Sequence, residues 1–190
     1  MPDHAKDRAA AITWTQHMLS AKCLILDTES TGLNDDDELV QLAVVSYQGI
    51  TLFDTLICPS EPLKVLRPGK GGVCAADIHG LMPEDVADAP TFKDIYPELW
   101  KVVRDRPIVI YNKDYDVPRL KYVCKLANVA LPFQSLDAHC AMLKYAAFVG
   151  DWNDYRQSYK WQRLEGGDHS AKGDCIACLK LLMLMANTED

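Results

Sequence analysis

Short apolar segments that end in charged or polar residues constrain the fold of this chain more than any other feature of its sequence. CLILD (23–27) and PIVIY (107–111) have the length and composition of buried strands. LVQLAVVSY (39–47) and ITLFDTLIC (50–58) are joined only by the dipeptide Gln48-Gly49. Two strand-like runs with so short a connection predict an antiparallel hairpin beside the first strand.

Segments with helical periodicity surround these strands. They lie at 4–20, 91–105, 116–129 and 169–186; a short strand runs into a further helix within 135–148, and short helices are expected near Cys74 and after Pro83. Pro97 either kinks its helix or marks the true start, whereas Pro118 falls in the first turn of the helix at 116–129. This order predicts an α/β fold with a mixed five-stranded sheet flanked by helices. Residues 1–21 are expected to form an N-terminal helix and residues 22–190 one globular domain.

Composition limits the classes of function that remain. The first twenty residues lack the apolar stretch of a signal peptide, and no run has the length of a membrane span, so we expect a cytoplasmic protein without a membrane partner. Seven cysteines without framework spacing indicate reduced thiols, and Cys175 and Cys178 are expected to be buried helix residues. A net charge of −7 argues against a protein that binds long nucleic acid only by neutralising phosphates.

Acidic residues follow the predicted strands at the sheet edge where α/β proteins bind their ligands. Asp27 and Glu29 flank Thr28 at the end of the first strand, so that both carboxylates face the same side. Asp114 and Asp116 both follow the strand at 107–111. An acidic pair with this spacing is a weak signal by itself, because most such pairs are solvated strand ends.

A histidine and another carboxylate lie at the start of the closing helix. His169 and Asp174 would be about 140° apart on an ideal helix, so they converge only if His169 lies at the frayed helix start or on the loop before it. Gly166-Gly167-Asp168 supplies such a loop. Either Asp168 or Ser170 is placed to act as the N-cap.

Four segments together resemble a known family. DTESTGL (27–33), YNKDYD (111–116) and HSAKGD (169–174) are similar, in this order, to the three motifs of the DnaQ-like, DEDDh 3′–5′ exonucleases, which include the epsilon subunit of bacterial DNA polymerase III. IHGLMPEDVADAPTF (78–92) resembles the family's His-Gly segment and the helix after it, and the resemblance spans residues 22–186. It implies a ribonuclease-H-like fold and removal of nucleotides from nucleic-acid 3′ ends as nucleoside 5′-monophosphates, with single-stranded DNA preferred.

The resemblance also implies the roles of individual residues. Two divalent ions, Mg²⁺ or Mn²⁺, would be bound by Asp27, Glu29, Asp116 and Asp174, and His169 would be the general base. Asp116 matches the motif and Asp114 does not, because the family's acid follows an aromatic residue, here Tyr115. Oxygen ligands select hard ions, and a pair of ions suits an in-line phosphoryl displacement. The expected substrate contacts come from Thr28, Ser30, Thr31, Gly32, Leu33, His79 and Asn112.

Several alternatives remain open at this stage. His79 at a helix start can be structural, and Leu33 and Leu81 can wedge against a base or pack in the core. The acidic run 34–38 predicts a solvated loop. Only four residues separate Leu164 from His169, fewer than in many relatives, so the position of His169 is less determined than those of the acids. The aromatic residues at 100, 152, 155, 159 and 161 can stack on bases or form core, and Lys160, Arg163 and Lys172 can contact the backbone of a substrate.

The motifs do not separate DNA from RNA, because metal ions contact only phosphate. An oligoribonuclease-type RNA exonuclease is therefore an enzymatic alternative. A polymerase-accessory binding module with a degenerate site is a non-enzymatic alternative, although the full set of carboxylates counts against it. A polymerase partner and a homodimer are both compatible with the sequence.

Overall fold

A mixed five-stranded sheet forms the centre of the computed structural model, which describes residues 2–69, 72–129 and 137–189. The strands are β1 (Leu24–Ser30), β2 (Leu39–Ser46), β3 (Thr51–Leu56), β4 (Ile108–Ile110) and β5 (Ala138–Cys140). They lie in the order β3-β2-β1-β4-β5. β1, β2 and β3 pair antiparallel, whereas β4 is parallel to β1 and β5 to β4. The predicted hairpin and mixed sheet are confirmed.

Helices cover both faces of this sheet. They are α1 (His4–Ser20), α2 (Ala76–His79), α3 (Pro83–Ala87), α4 (Phe92–Val103), α5 (Lys113–Leu126), α6 (Ala141–Val149) and α7 (Ala171–Ala186). A 3₁₀ helix at Pro62–Leu66 and a small hairpin of β6 (Trp152–Asn153) and β7 (Ser158–Tyr159) were not expected from the sequence. Among the residues that the structure describes, no helix is long and apolar enough to cross a membrane.

The alternation of side chains along β1 divides the core into two layers. Leu24 and Leu26 pack with the apolar faces of α4 and α5, and Ile25 packs on the opposite side with α7. Cys175 and Cys178 belong to this second layer as buried residues, and all seven cysteines are free, as the sequence predicts. Complete burial of each leucine or isoleucine side chain of β1 contributes about 1.5–3 kcal/mol to the stability of the fold. The core therefore fixes α5 and α7 on the two sides of β1.

Two boundaries differ from the sequence predictions. β1 continues to Ser30, so Asp27 and Glu29 lie within the strand and not at its end. α5 begins at Lys113, which makes Pro118 its sixth residue instead of a first-turn residue. Pro118 is tolerated because the carbonyl that loses its helical donor belongs to the exposed Asp114 in the first turn, where water can reach it.

Pro97 has the same position in α4. That helix begins at Phe92, where the Thr91 side chain accepts a hydrogen bond from the Asp94 N–H and Asp94 bonds back to the Thr91 N–H. The true start is therefore at Phe92, and Pro97 lies inside the helix. The expected N-cap at Thr91 is confirmed.

Candidate active site

Carboxylates from β1, α5 and α7 come together beside the central strand. One carboxylate oxygen from each of Asp27, Glu29 and Asp174 lies within 4.8 Å of the others. Asp116, in the first turn of α5, is hydrogen-bonded to Thr28, which lies between Asp27 and Glu29 in β1. Its Oδ1 accepts hydrogen bonds from the Thr28 backbone N–H at 3.1 Å and from the Thr28 hydroxyl at 2.7 Å. The structure thus brings all four carboxylates of the motifs to one site.

The pleat of β1 explains why three elements are needed. Asp27 and Glu29 share the face of β1 against which α7 packs, and α7 carries Asp174 in its first turn. Thr28 has the opposite orientation, toward α5, where it meets Asp116. Thr28 is 3% exposed, so its hydroxyl serves to hold Asp116.

Burial and mutual repulsion raise the proton affinity of these carboxylates. Burial, followed by the charges of Asp116, Glu29 and Asp174, raises the pKa of Asp27 well above its ordinary value. Burial and then the charge of Asp174 raise the pKa of Glu29 to about 8. Burial also raises the pKa of Asp116, against the opposing effect of the Thr28 hydrogen bonds, and that of Asp174.

This arrangement suits hard divalent cations. No lysine or arginine of the described chain forms an ion pair with any of the four carboxylates. Without a cation, burial favours their protonated forms; a divalent cation supplies the missing positive charge and displaces the protons. The ligands are all carboxylate oxygens, which Mg²⁺ and Mn²⁺ prefer.

Divalent ions should therefore stabilise the protein more at about pH 8 than at about pH 5.5. The folded-state pKa of Glu29 is raised from 4.5 to about 8, so folded protein binds protons that unfolded protein has lost, and metal-free stability falls as pH rises across this interval. A bound cation removes that cost. The measurement is the melting temperature with and without Mn²⁺ at both pH values. Equal shifts at the two pH values would contradict the carboxylate site.

His169 lies on the loop before α7, one of the two positions that allow it to approach Asp174. Its φ of 61° places it in the left-handed region, and its side chain is exposed. Ser170 is the N-cap and accepts a hydrogen bond from the Gly173 N–H at 3.0 Å, which decides between the two predicted caps. Asp168 instead accepts from the Ser170 N–H and hydroxyl.

Asp174 itself holds this loop. Its Oδ1 accepts hydrogen bonds from the backbone N–H groups of Asp168 at 3.0 Å and His169 at 3.2 Å. The approach is close enough that a Cβ at Gly167 would lie 2.6 Å from the same oxygen. Glycine at 167 therefore allows the carboxylate to reach the loop that carries the histidine.

A pocket beside Glu29 contains several of the predicted substrate residues. Ser30, Gly32, Leu33 and His79 line it, together with parts of the segments around the 3₁₀ helix and α2. Leu33 is 62% exposed, so its side chain is available to a ligand. His79 Nδ1 accepts from the Leu81 N–H at 3.1 Å and its Nε2 lies 3.2 Å from the Ser30 carbonyl, so its ring is fixed. Burial chiefly lowers the pKa of His79.

The remaining predicted residues are placed elsewhere. Thr28 binds Asp116, and Thr31 is buried with its hydroxyl 3.3 Å from the Asp37 carboxylate. Asn112 is at the N-cap position of α5 and makes no side-chain cap hydrogen bond. None of these three lines the pocket beside Glu29.

The prediction of a solvated acidic loop at 34–38 is wrong for Asp37. This residue is 3% exposed and forms an ion pair with Lys64 Nζ at 2.9 Å. A Cβ at Gly32 would lie 2.5 Å from Asp37 Oδ2. Asp37 therefore anchors the loop after β1, and the ion pair with the distant Lys64 permits its burial together with hydrogen bonds from Asn34 and Thr31.

Arg119 was not expected at the site from the sequence. It is 1% exposed; its Nε donates to the Gly32 carbonyl at 3.3 Å and its Nη1 to the Tyr115 carbonyl. The guanidinium lies 3.7 Å from the Tyr115 ring centre, and the Tyr115 hydroxyl is 2.8 Å from the Ser30 hydroxyl. Arg119 thus joins the loop after β1 to α5, one turn beyond Asp116.

Replacing Arg119 with alanine should destabilise the fold by about 3 kcal/mol. The change leaves a cavity and removes the hydrogen bonds that Arg119 donates to two partly buried carbonyl groups. Urea denaturation measures this effect, with Arg163→Ala as the matched control. Arg163 is exposed, so its replacement should change stability by less than about 0.5 kcal/mol. Equal stability of the two variants would show that the Arg119 contacts contribute little.

Fold and site together define a class of protein. A mixed five-stranded sheet in this order, with carboxylates collected from its central strand and two flanking helices, is the arrangement of the ribonuclease-H-like exonucleases. Residues 24–182 match the family model described as Exonuclease, which covers most of the chain. The chain belongs to this exonuclease family, as its motifs predict.

Individual relatives agree with this assignment. The chain is 32% identical over 178 residues to the uncharacterized exonuclease CP81 of Escherichia phage 186, a match that covers 86% of this chain and 87% of the relative. It is 24% identical over 176 residues to the DNA polymerase III subunit epsilon of Buchnera aphidicola subsp. Acyrthosiphon pisum, covering 89% of this chain and 74% of that protein.

Solved structures show the same fold. The cell-death related nuclease 4 (CRN-4) superposes with a TM-score of 0.55 at 20% identity, covering 87% of this chain and 64% of the other. Exonuclease X, solved in complex with 5′ overhanging duplex DNA, superposes with a TM-score of 0.53 at 23% identity, covering 88% and 94%. At these identities the likeness concerns the fold.

Proposed function

We propose that this chain is a metal-dependent 3′–5′ exonuclease that releases nucleoside 5′-monophosphates and prefers single-stranded DNA. The observation that carries the proposal is the convergence of Asp27, Glu29 and Asp174 within 4.8 Å, with Asp116 bound to Thr28 beside them. Buried carboxylates without a cationic partner are costly unless they bind metal ions. Membership of the exonuclease family supplies the class of reaction.

The four carboxylates would hold two divalent ions, Mg²⁺ or Mn²⁺. When bound, such ions lower the pKa of water and neutralise charge on a phosphate. His169 is exposed on the loop that Asp174 holds, so its imidazole is available to accept a proton from the attacking water. Asp27, Glu29, Asp116, Asp174 and His169 are thus the proposed catalytic residues.

The pocket beside Glu29 is the proposed position of the terminal nucleotide. Leu33 offers an exposed apolar side chain to a base, while His79 and Ser30 form a fixed wall. Tyr115 lines the same pocket and is held by Ser30 and Arg119. The pocket shares Glu29 with the carboxylate group, so a terminal phosphodiester bound there would lie next to the proposed metal ligands.

Partners and location belong to the same proposal. The epsilon relatives suggest a polymerase partner, a homodimer remains an alternative, and the free cysteines favour a cytoplasmic location. RNA is the alternative substrate, because carboxylates and metal ions contact only the phosphodiester. The complete carboxylate set argues against an accessory module with a degenerate site.

A digestion of end-labelled single-stranded DNA tests the proposed direction and metal dependence. A 5′ label should give a ladder of progressively shorter products, and a 3′ label should appear at once as a labelled mononucleotide. Chelation of divalent ions should stop both reactions. A matched RNA oligomer decides between the two substrates by its relative rate. Immediate release of a 5′-labelled mononucleotide, or full activity without divalent ions, would contradict the proposal.

A further inference from the structure

The segment 161–165, which shortly precedes His169 along the chain, exposes alternate side chains. Trp161, Arg163 and Glu165 are exposed, whereas Gln162 and Leu164 are partly buried. Alternation of this kind is typical of extended chain, in which every second side chain shares a face. Trp161 is 67% exposed, which is unusual for so large an apolar side chain. An indole and a guanidinium two residues apart therefore share one outward face.

Two contacts fix this segment near the carboxyl end of β4. The Tyr111 hydroxyl donates a hydrogen bond to the Gln162 carbonyl at 2.7 Å. Tyr111 directly follows β4 and precedes the helix that carries Asp116. Leu164 packs on the apolar layers that contain Tyr111, and the chain then reaches His169 after four residues. Trp161 and Arg163 flank the anchored residue.

The neighbouring hairpin extends this face. β6 and β7 are connected through Tyr155, which is 96% exposed, and Arg156. Arg156, Trp161 and the intervening residues of β7 line one groove. Lys160 in this groove is paired with Asp151 at 2.9 Å, whereas no ion pair of Arg156 or Arg163 is formed within the described residues. Two arginines are thus available to an anion.

The combination of residues selects the kind of partner. Exposed aromatic rings stack on unpaired bases, and nearby arginines bind the phosphates between them. In a duplex the base faces are already stacked, so an exposed indole gains little from it. The net charge of −7 disfavours the binding of polyanions to the chain as a whole, so two arginines without an ion pair among the described residues are the more notable.

We propose that Trp161 and Arg163, together with Tyr155 and Arg156, form the surface on which the single strand lies as it leads into the active site. The inference rests on the proposed exonuclease function. It names the part of the chain that contacts nucleotides on the 5′ side of the scissile bond. Binding and hydrolysis of oligomers long enough to reach this surface should depend on it, whereas hydrolysis of dinucleotides should not.

The test is binding of fluorescent single-stranded DNA to protein carrying Asp27→Asn, which separates binding from hydrolysis. In that background Trp161→Ala should raise the Kd of a 15-mer about tenfold, and Arg163→Ala should raise it about fivefold with a weaker salt dependence. Trp161→Phe should retain most of the affinity, because it keeps a ring for stacking. Lys125→Ala is the charge control, since Lys125 is exposed near the far end of α5.

Hydrolysis by the otherwise unaltered chain distinguishes failure of this surface from failure of the enzyme assignment. Trp161→Ala should raise KM for the 15-mer and leave the rate on a dinucleotide unchanged. An unchanged Kd for the 15-mer in both variants would overturn the surface even if the protein is an active exonuclease. The surface would also be overturned if the variants lost activity equally on dinucleotides and on the 15-mer, or if the parent chain bound a blunt duplex as tightly as single-stranded DNA. If the variants bind the 15-mer more weakly but the parent chain hydrolyses no substrate, the proposed binding surface stands and the proposed exonuclease activity is rejected.

Discussion

Replacing Asp27 with asparagine should reduce the rate of phosphodiester hydrolysis about a thousandfold or more while making the metal-free protein more stable. Asp27 is one of the three carboxylates whose oxygens lie within 4.8 Å of one another, and its replacement would remove a proposed ligand of both ions. A change of several kcal/mol in transition-state stabilisation corresponds to this loss of rate. The stability gain follows because burial and three neighbouring acids disfavour the Asp27 charge in the folded state.

Single-turnover hydrolysis and thermal melting measure these two effects in the same samples. Asp114→Asn is the matched control, because Asp114 is an exposed carboxylate two residues before Asp116 and outside the group. That variant should hydrolyse DNA as the parent chain does. Full activity of the Asp27 variant would remove the metal-dependent mechanism. A loss of both activity and folding would instead show that Asp27 supports the structure.

Replacing His169 with glycine should reduce kcat about 10²–10⁴-fold without a comparable change in metal binding. Glycine suits this position, because the φ of 61° is readily adopted without a Cβ and the backbone hydrogen bond to Asp174 is retained. The side chain of His169 makes no hydrogen bond within the described chain, so the fold should not depend on it.

Free imidazole should restore part of the lost rate if His169 acts as the general base. Calorimetric titration with Mn²⁺ checks that the carboxylate site is intact in the variant. His17→Gly would disturb a helix, so His17→Gln on the exposed face of α1 is the better histidine control and should leave the rate unchanged. Parent-like kcat in His169→Gly at neutral pH would assign proton transfer to another group.

The fold was largely predictable because its apolar segments have clear periodicity. Apolar runs and helical periodicity predict the order of strands and helices, the hairpin and the mixed sheet. Tertiary contacts do not change these features. β1 was predicted three residues too short, because the three residues that continue it, Thr28, Glu29 and Ser30, are polar, and polar side chains at a strand end are usually exposed. The two-residue strands β6 and β7 are too short to show any period.

Contacts between distant residues account for what the sequence did not reveal at the site. Asp37 looks solvated within an acidic run, and its burial depends on Lys64 from the following 3₁₀ helix together with hydrogen bonds from Asn34 and Thr31. Arg119 resembles an ordinary helix-surface residue until Gly32 and Tyr115 are seen to receive its hydrogen bonds. The carboxylates themselves were predictable because their motifs occur in the order of the exonuclease family, although Asp27 and Glu29 lie within β1 and not at its end.

The double use of Asp174 would make the proposed metal centre and the proposed proton acceptor a single unit. The carboxylate that lies with Asp27 and Glu29 in the proposed metal site also accepts hydrogen bonds from the two N–H groups of the loop that carries His169. Mutational effects at Asp174 and His169 should consequently be far from additive. Transfer of this site to another scaffold would therefore require residues 166–174 as one block, including Gly167. The histidine depends on the loop backbone that Asp174 holds for its position.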